Sequence, residues 1–209
     1  MNAATDAMRR PTAEETRARI EDTAERLFKT MGYQKTAVAD IARELGMSPA
    51  NVYRFFPSKS AINEAIARRM LSGVEAEIWA IARSDTPPPE RLAQLLRTLH
   101  QRHVGLFFAE KRLHDMVTAA MAEHWGVVEN FIHACVTAFR HVLMDGMAAG
   151  IFARRDPETT AIAIKQAIIA FVHPVLIAEC LGHDTSEDQL AADLDRVVAL
   201  IVAGLKTAD

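Results

Sequence analysis

The stretch TAVADIARELGMSPANVYRFFPSK, Thr36 to Lys59, decides how this chain is read. Val38, Ile41, Ala42 and Leu45 recur at helical spacing and stop at Gly46. Ser48-Pro49 then supplies an N-cap and a proline at the first helical position. The helix so opened is short, running to about Phe56, with Val52 and Phe56 inward. Two short helices separated only by Gly46-Met47-Ser48 make a helix-turn-helix. Gly46 allows the backbone to reverse where a side chain would clash. Ile41, Leu45, Val52 and Phe56 pack the pair against the helix before it. The outward face keeps Ala50, Asn51, Tyr53 and Arg54, side chains that suit a DNA major groove. Arg reads guanine, Asn reads adenine, and a phenol reaches phosphate. Lys59 falls in the first turn of the next helix, where free N–H groups and the helix dipole already favour a phosphate.

Working outward, Thr12 to Glu15 reads TAEE, a capping box. It opens a helix with Ile20, Ala24, Leu27, Phe28 and Met31 on one face, ended by Gly32. After Pro57-Ser58 a long helix carries Ile62, Ile66, Met70, Val74, Ile78 and Ile81 to about Arg83. Thr86 to Glu90 reads TPPPE and ends it, since three prolines cannot sit inside a helix; this is the expected hinge. Five further helical patterns follow. Leu92 to Leu99 marks one and Leu113 to His124 another. Val128 to Leu143 leads to Gly150, and Asp156-Pro157 caps a helix to about Leu181. A capping signal at Thr185 to Asp188 opens the last, through Leu205. No period-2 strand stands out. The expected fold is all-α: about nine helices, a front three-helix unit and a larger rear bundle. The domain bounds read as a flexible segment 1–11, a helix-turn-helix domain 12–57, a connecting helix 58–85 and an effector-binding and dimerisation bundle 86–209.

Within this register the sequence resembles the TetR family of transcriptional repressors. The resemblance rests on Thr36 to Lys59 and on the AERLFKTMGY run ending at Tyr33, and covers roughly residues 14–62. It implies an all-helical homodimer that pairs a DNA-binding front domain with a variable ligand-binding bundle. Carried across, Tyr53, Lys59 and Thr36 become phosphate contacts. Ser48, Pro49, Ala50, Asn51 and Arg54 lie in or beside the groove. Two positions depart from the family pattern. Ala37 stands where a hydroxyl residue often caps the second helix, which leaves Thr36 as the expected cap. Phe55 stands where His or Tyr is frequent.

Composition agrees with this division of labour. The 209 residues are half hydrophobic and 24% charged, with 6% aromatics, nine glycines and eight prolines. That is globular and helix-biased composition. The net charge of −3 hides an asymmetry. Residues 1–70 hold twelve Lys/Arg and nine Asp/Glu, a net +3, while the remainder carries −6 and all eight histidines. The front suits a polyanion and the rear does not. Cys135 and Cys180 are too few for a disulfide framework or a four-cysteine zinc site. With no signal-like leader and no apolar run near the roughly 20 residues that span a bilayer, the expectation is a cytoplasmic protein that does not bind membranes.

The function expected is a ligand-responsive regulator, a repressor, that binds a palindromic operator in double-stranded DNA as a homodimer and is released by a small apolar effector. Metal- or redox-responsive regulation and activation stay open as alternatives. His100 with His103, and Glu129 with His133, are spaced one helical turn apart and carry metal-ligand chemistry. The assignment, however, is no metal and no cofactor. An enzyme is not expected: Cys135 and His133 lie at i and i+2, facing apart, and no glycine-rich phosphate loop occurs. The expected pocket is lined by His103, Phe107, Met121, Trp125, Phe131, Cys135, Phe139, Phe171 and His173, with His173-Pro174 marking a kink. The expected dimer face uses Ile164, Ala167, Ile168, Phe171, Leu194, Ile201 and Leu205, mostly on the strength of the resemblance.

Overall fold

The computed structural model describes residues 11–109, 126–182 and 185–207. Those residues form ten helices: α1 (Ala13–Met31), α2 (Val38–Glu44), α3 (Pro49–Tyr53), α4 (Lys59–Ala82), α5 (Pro88–Ala109), α6 (Gly126–Ala148), α7 (Pro157–Ala167), α8 (Ile169–Val172), α9 (Pro174–Gly182) and α10 (Glu187–Leu205). The fold is all-α. The one extended pairing among the described residues is a bridge between Phe152 and Lys206. The pattern expected at Leu113 to His124 lies outside the described residues. The single helix expected from Asp156 to Leu181 is three helices, with breaks at Ile168 and His173.

The packing resolves into two units, one ending at Ala67 and the other beginning at Arg68, both inside the span of α4. The TPPPE turn lies within the second unit. There the prolines open a helix as well as ending one: Pro88 is the first residue of α5, where a missing N–H costs nothing. Buried Arg91 ties this corner. Its guanidinium donates to the Ala82 carbonyl at 2.6 Å and to Asp145 at 2.8 Å.

In the first unit Thr12 caps α1 reciprocally. Its hydroxyl accepts from the Glu15 N–H at 3.1 Å, and its own N–H donates to the Glu15 carboxylate at 2.7 Å. Ile20, Ala24, Leu27 and Phe28 are buried, as expected, whereas Met31 at the helix end is exposed. Gly32 leaves α1 at φ +93°. Ile41, Val52, Phe56, Ile62 and Ile66 complete the core.

The second unit is built on α5, which packs against α6, α8, α9 and α10, while α6 packs on α7. Leu92, Leu95, Leu96, Phe139, Leu143, Phe152, Ile164, Ile168, Leu194 and Val198 share one core. Each such side chain contributes about 1.5–3 kcal/mol by leaving water. Gly146 is fixed by this packing: a Cβ there would overlap the Phe152 ring. Phe152 is seated where the chain leaving α6 runs beside the end of α10, with the Ala153 N–H donating to the Leu205 carbonyl at 2.8 Å.

That core corrects the expected dimer face. Ile164, Ile168, Leu194 and Leu205 are at most 4% exposed and pack within their own chain. Phe171 and Ile201 are half-buried, and Ala167 alone of the set is exposed. A helical stripe records that a helix buries a face; it does not say which neighbour does the burying.

Candidate nucleic-acid interface

The turn between α2 and α3 is held by backbone and short side chains. Gly46 has φ +65°, and its N–H donates to the Arg43 carbonyl at 3.1 Å. Ser48 caps α3, its hydroxyl accepting from the Asn51 N–H at 3.2 Å. Val52 is fully buried and Phe56 nearly so, which fixes the rotation of α3. The opposite face is then presented outward: Pro49, Ala50, Tyr53 and Arg54 are exposed, Tyr53 by half its surface. The regular helix ends at Tyr53, and Phe55 and Phe56 continue in a turn, both N–H groups donating to the Val52 carbonyl.

Asn51 is half-buried, with its amide nitrogen 3.9 Å from the Met47 sulfur. Lys59 is half-buried too. Its ammonium sits 4.4 Å over the Tyr33 ring and donates to the Tyr33 carbonyl at 2.9 Å. Tyr33 is itself buried edge-on against Phe28 at 5.1 Å. Lys59 therefore clasps the start of α4 to the segment that follows α1, while its charge remains at the surface.

Thr36 differs from both roles expected of it. It is 2% exposed, and its hydroxyl donates to the Gly32 carbonyl at 2.9 Å. The N-cap of α2 is Ala37. With no side-chain oxygen there, Asp40 closes the helix end from the other direction, accepting from the Ala37 N–H at 2.9 Å. That hydrogen bond, followed by the Arg43 guanidinium at 2.6 Å, holds the Asp40 carboxyl below its ordinary range.

Tyr53 and Lys59 line one open groove of about 420 Å³, together with Gln34, Lys35, Ala37 and Ser58. Lys35 is exposed at its rim and was not singled out from the sequence. The available signal was a basic residue three positions before the start of the second helix.

The rear residues divide differently. Phe131 and Cys135 are buried on α6, and Phe139 is core at 1% exposure. Phe171 and His173 are half-buried beside the α8–α9 break. Met121 and Trp125 lie outside the described residues, and the Phe107 side chain is likewise not described. Burial, followed by the charge of Glu75, pushes the Cys135 thiol up to about 12, which leaves it protonated and unreactive. Among the described residues no three His, Cys, Asp or Glu side chains stand close enough to hold a metal ion. No helix among them is long and apolar enough to cross a membrane.

With this geometry in place, residues 20–66 match the model of bacterial regulatory proteins of the tetR family. Residues 88–198, more than half the chain, match the tetracyclin repressor-like C-terminal domain. The chain belongs to the TetR family. It pairs the N-terminal domain of bacterial regulatory proteins with a tetracyclin repressor-like C-terminal domain. It is 33% identical over 73 residues to the nucleoid occlusion factor SlmA of Haemophilus influenzae, a match covering 35% of this chain and 34% of that protein. The similarity thus spans about a third of the relative. Among solved structures, a TetR-family regulator from Pectobacterium atrosepticum has a TM-score of 0.71 at 21% identity, covering 94% of this chain and 96% of the other. The regulator FadR from Bacillus subtilis, in complex with stearoyl-CoA, has a TM-score of 0.64 at 16% identity, covering 90% and 98%. These two likenesses establish the fold.

Proposed function

We propose that this TetR-family regulator is a repressor that binds a palindromic operator as a homodimer and releases it when a small molecule occupies the rear unit. The observation that carries the reading is the division of α3: Val52 faces the core, while Ala50, Tyr53 and Arg54 stand outward beside a groove carrying Lys35 and Lys59. One helix this short buries too little surface for strong sequence-specific binding. Two copies, placed one turn of duplex or about 34–36 Å apart, supply the rest.

Exposed apolar residues on the helices named for dimerisation support pairing. Leu200 on α10 is 73% exposed, and Ile162 and Ile169 are 37% and 41% exposed. These replace Ile164, Ile168, Leu194 and Leu205 as the proposed contacts, with Ala167 retained. The link from effector to operator is α4, which carries Lys59 at its start and contributes Ile78 and Ile81 to the rear core. Coupling of this kind is reciprocal, so operator DNA weakens effector binding by the factor that effector weakens operator binding.

Sedimentation of the chain with its own upstream DNA tests the reading. Two chains per duplex are expected. Leu200→Asp is expected to give a folded monomer with weakened DNA binding. A monomeric wild-type chain that binds DNA one to one would remove the dimer.

A further inference from the structure

The rear unit brings three histidines together from two places in the chain: His100 and His103 on α5, and His173 in the break between α8 and α9. His100 Nδ1 lies 2.8 Å from the Phe171 carbonyl, and His103 Nδ1 lies 2.7 Å from the Leu99 carbonyl. A carbonyl oxygen only accepts, so each Nδ1 carries the proton and donates. In a neutral imidazole the other nitrogen, Nε2, is then a lone pair. Neither Nε2 has a hydrogen-bond partner among the described residues. The Nδ1 atom of His173 is buried and also lacks one there. Aromatic rings flank the pair: Phe171 stands edge-on to His100 at 6.3 Å, and Phe131 lies tilted against His103 at 6.3 Å.

Resting on the reading of the rear unit as an effector site, we propose that His100 and His103 form its hydrogen-bond-accepting end, and that the effector is an uncharged molecule bearing an O–H donor on a flat apolar body. The chemistry of the site sets this class. A carboxylate needs N–H donors, and the Nδ1–H groups of His100 and His103 are already spent on the Phe171 and Leu99 carbonyls. The remaining lone pairs repel an anion and accept from a hydroxyl. Burial lowers the proton affinity of His103 against the raising effect of its bond to the Leu99 carbonyl, and the neighbouring His100 and His173 add to the lowering. Phe131 and Phe171 supply apolar surface for the body of the ligand, and they leave a hydroxyl few partners other than the imidazoles.

A matched series of probes tests the class on the full-length protein: para-phenylphenol, biphenyl and biphenyl-para-carboxylate, titrated by calorimetry at neutral pH. The phenol is expected to bind about tenfold more tightly than biphenyl, the worth of one net hydrogen bond, and the carboxylate no more tightly than biphenyl. Nitrogen NMR of the histidines is expected to show both rings protonated at Nδ1, with an Nε2 signal moving when the phenol binds. In the His100→Phe, His103→Phe double variant biphenyl binding is expected to persist and the preference for the phenol to vanish. If that variant does not fold, the Nε2 shift in the wild-type protein decides. Equal affinities, tighter binding of the carboxylate, an unmoved Nε2 signal or no binding at all would overturn the proposal. Phenol binding through Nε2 that leaves operator DNA bound would keep the accepting site and remove effector release.

Discussion

The α2–α3 turn and the α7–α9 segment are both helices interrupted by a break, yet they present opposite surfaces. At the first, Gly46 and Ser48 supply the reversal and the cap, so the backbone needs nothing from outside and the next helix can hold bare polar side chains outward. At the second, Ile168 breaks the helix while itself packed in the core at 1% exposure, and His173 precedes a proline that excludes it from helical geometry. Its polar groups end up facing inward, toward α5. A break made by local chemistry exposes a reading surface; a break made by packing creates an interior polar cluster. The contrast supports the proposed recognition of a large charged partner by the front and of a small neutral one by the rear.

The same contrast separates two glycines, and it can be broken there first. Gly146→Ala drives a Cβ into the Phe152 ring, and the expected loss is about 3 kcal/mol of stability, read as a lowered denaturant midpoint. Gly46→Ala meets no atom within 4 Å but forces an alanine to φ +65°, at about 1–2 kcal/mol. If Gly46 proves the costlier position, packing is not what fixes the rear unit.

Arg54→Ala sharpens the front side. It is expected to cost about 1–3 kcal/mol of discrimination between operator and mismatched duplex, with thermal stability unchanged because Arg54 is exposed. Equal loss on every sequence would make it a phosphate contact instead.

Cys135 gives a pH test of rear burial. Its folded pKa lies above the unfolded value, so the thiol contributes stability that is fully present below about 9 and declines as pH rises toward 12. The wild-type denaturation midpoint is expected to fall more steeply than that of Cys135→Ala across this window. Parallel curves would place the thiol in contact with water.

The smallest effect separates two lysines. Lys35→Ala is expected to lower affinity across sequences and reduce the salt slope by about one unit with stability intact. Lys59→Ala is expected to do the same and also lower the melting temperature, because the hydrogen bond to the Tyr33 carbonyl is lost. A stability loss confined to Lys35→Ala would reverse the assignment of the clasp.

Much of the front unit is legible in the sequence because its signals are local. Thr12 with Glu15, Gly32, Gly46 and Ser48-Pro49 each act within four residues, and the structure places each in its expected role. Thr36 is the instructive exception: a hydroxyl next to a helix start reads as a cap, but its bond to the Gly32 carbonyl depends on how the preceding turn folds back. The rear is legible only as stripes. Nothing in the residue pattern distinguishes Leu194, packed in its own core, from Leu200, left exposed. The Ile168 break carries no glycine or proline, and the seat of Phe152 against Gly146 is a contact outside any helical period. The histidines were visible as a pair at one-turn spacing on α5, but the carbonyls that fix their tautomers were not.

Footprinting on the DNA upstream of the coding sequence, run side by side with wild-type chain and Arg54→Ala, tests the central claim most directly. The account predicts two protected half-sites centred about one helical turn apart, with protection lost in the variant at the same protein concentration and salt. Absence of protection by the wild-type chain, or a footprint that Arg54→Ala leaves unchanged, would contradict it.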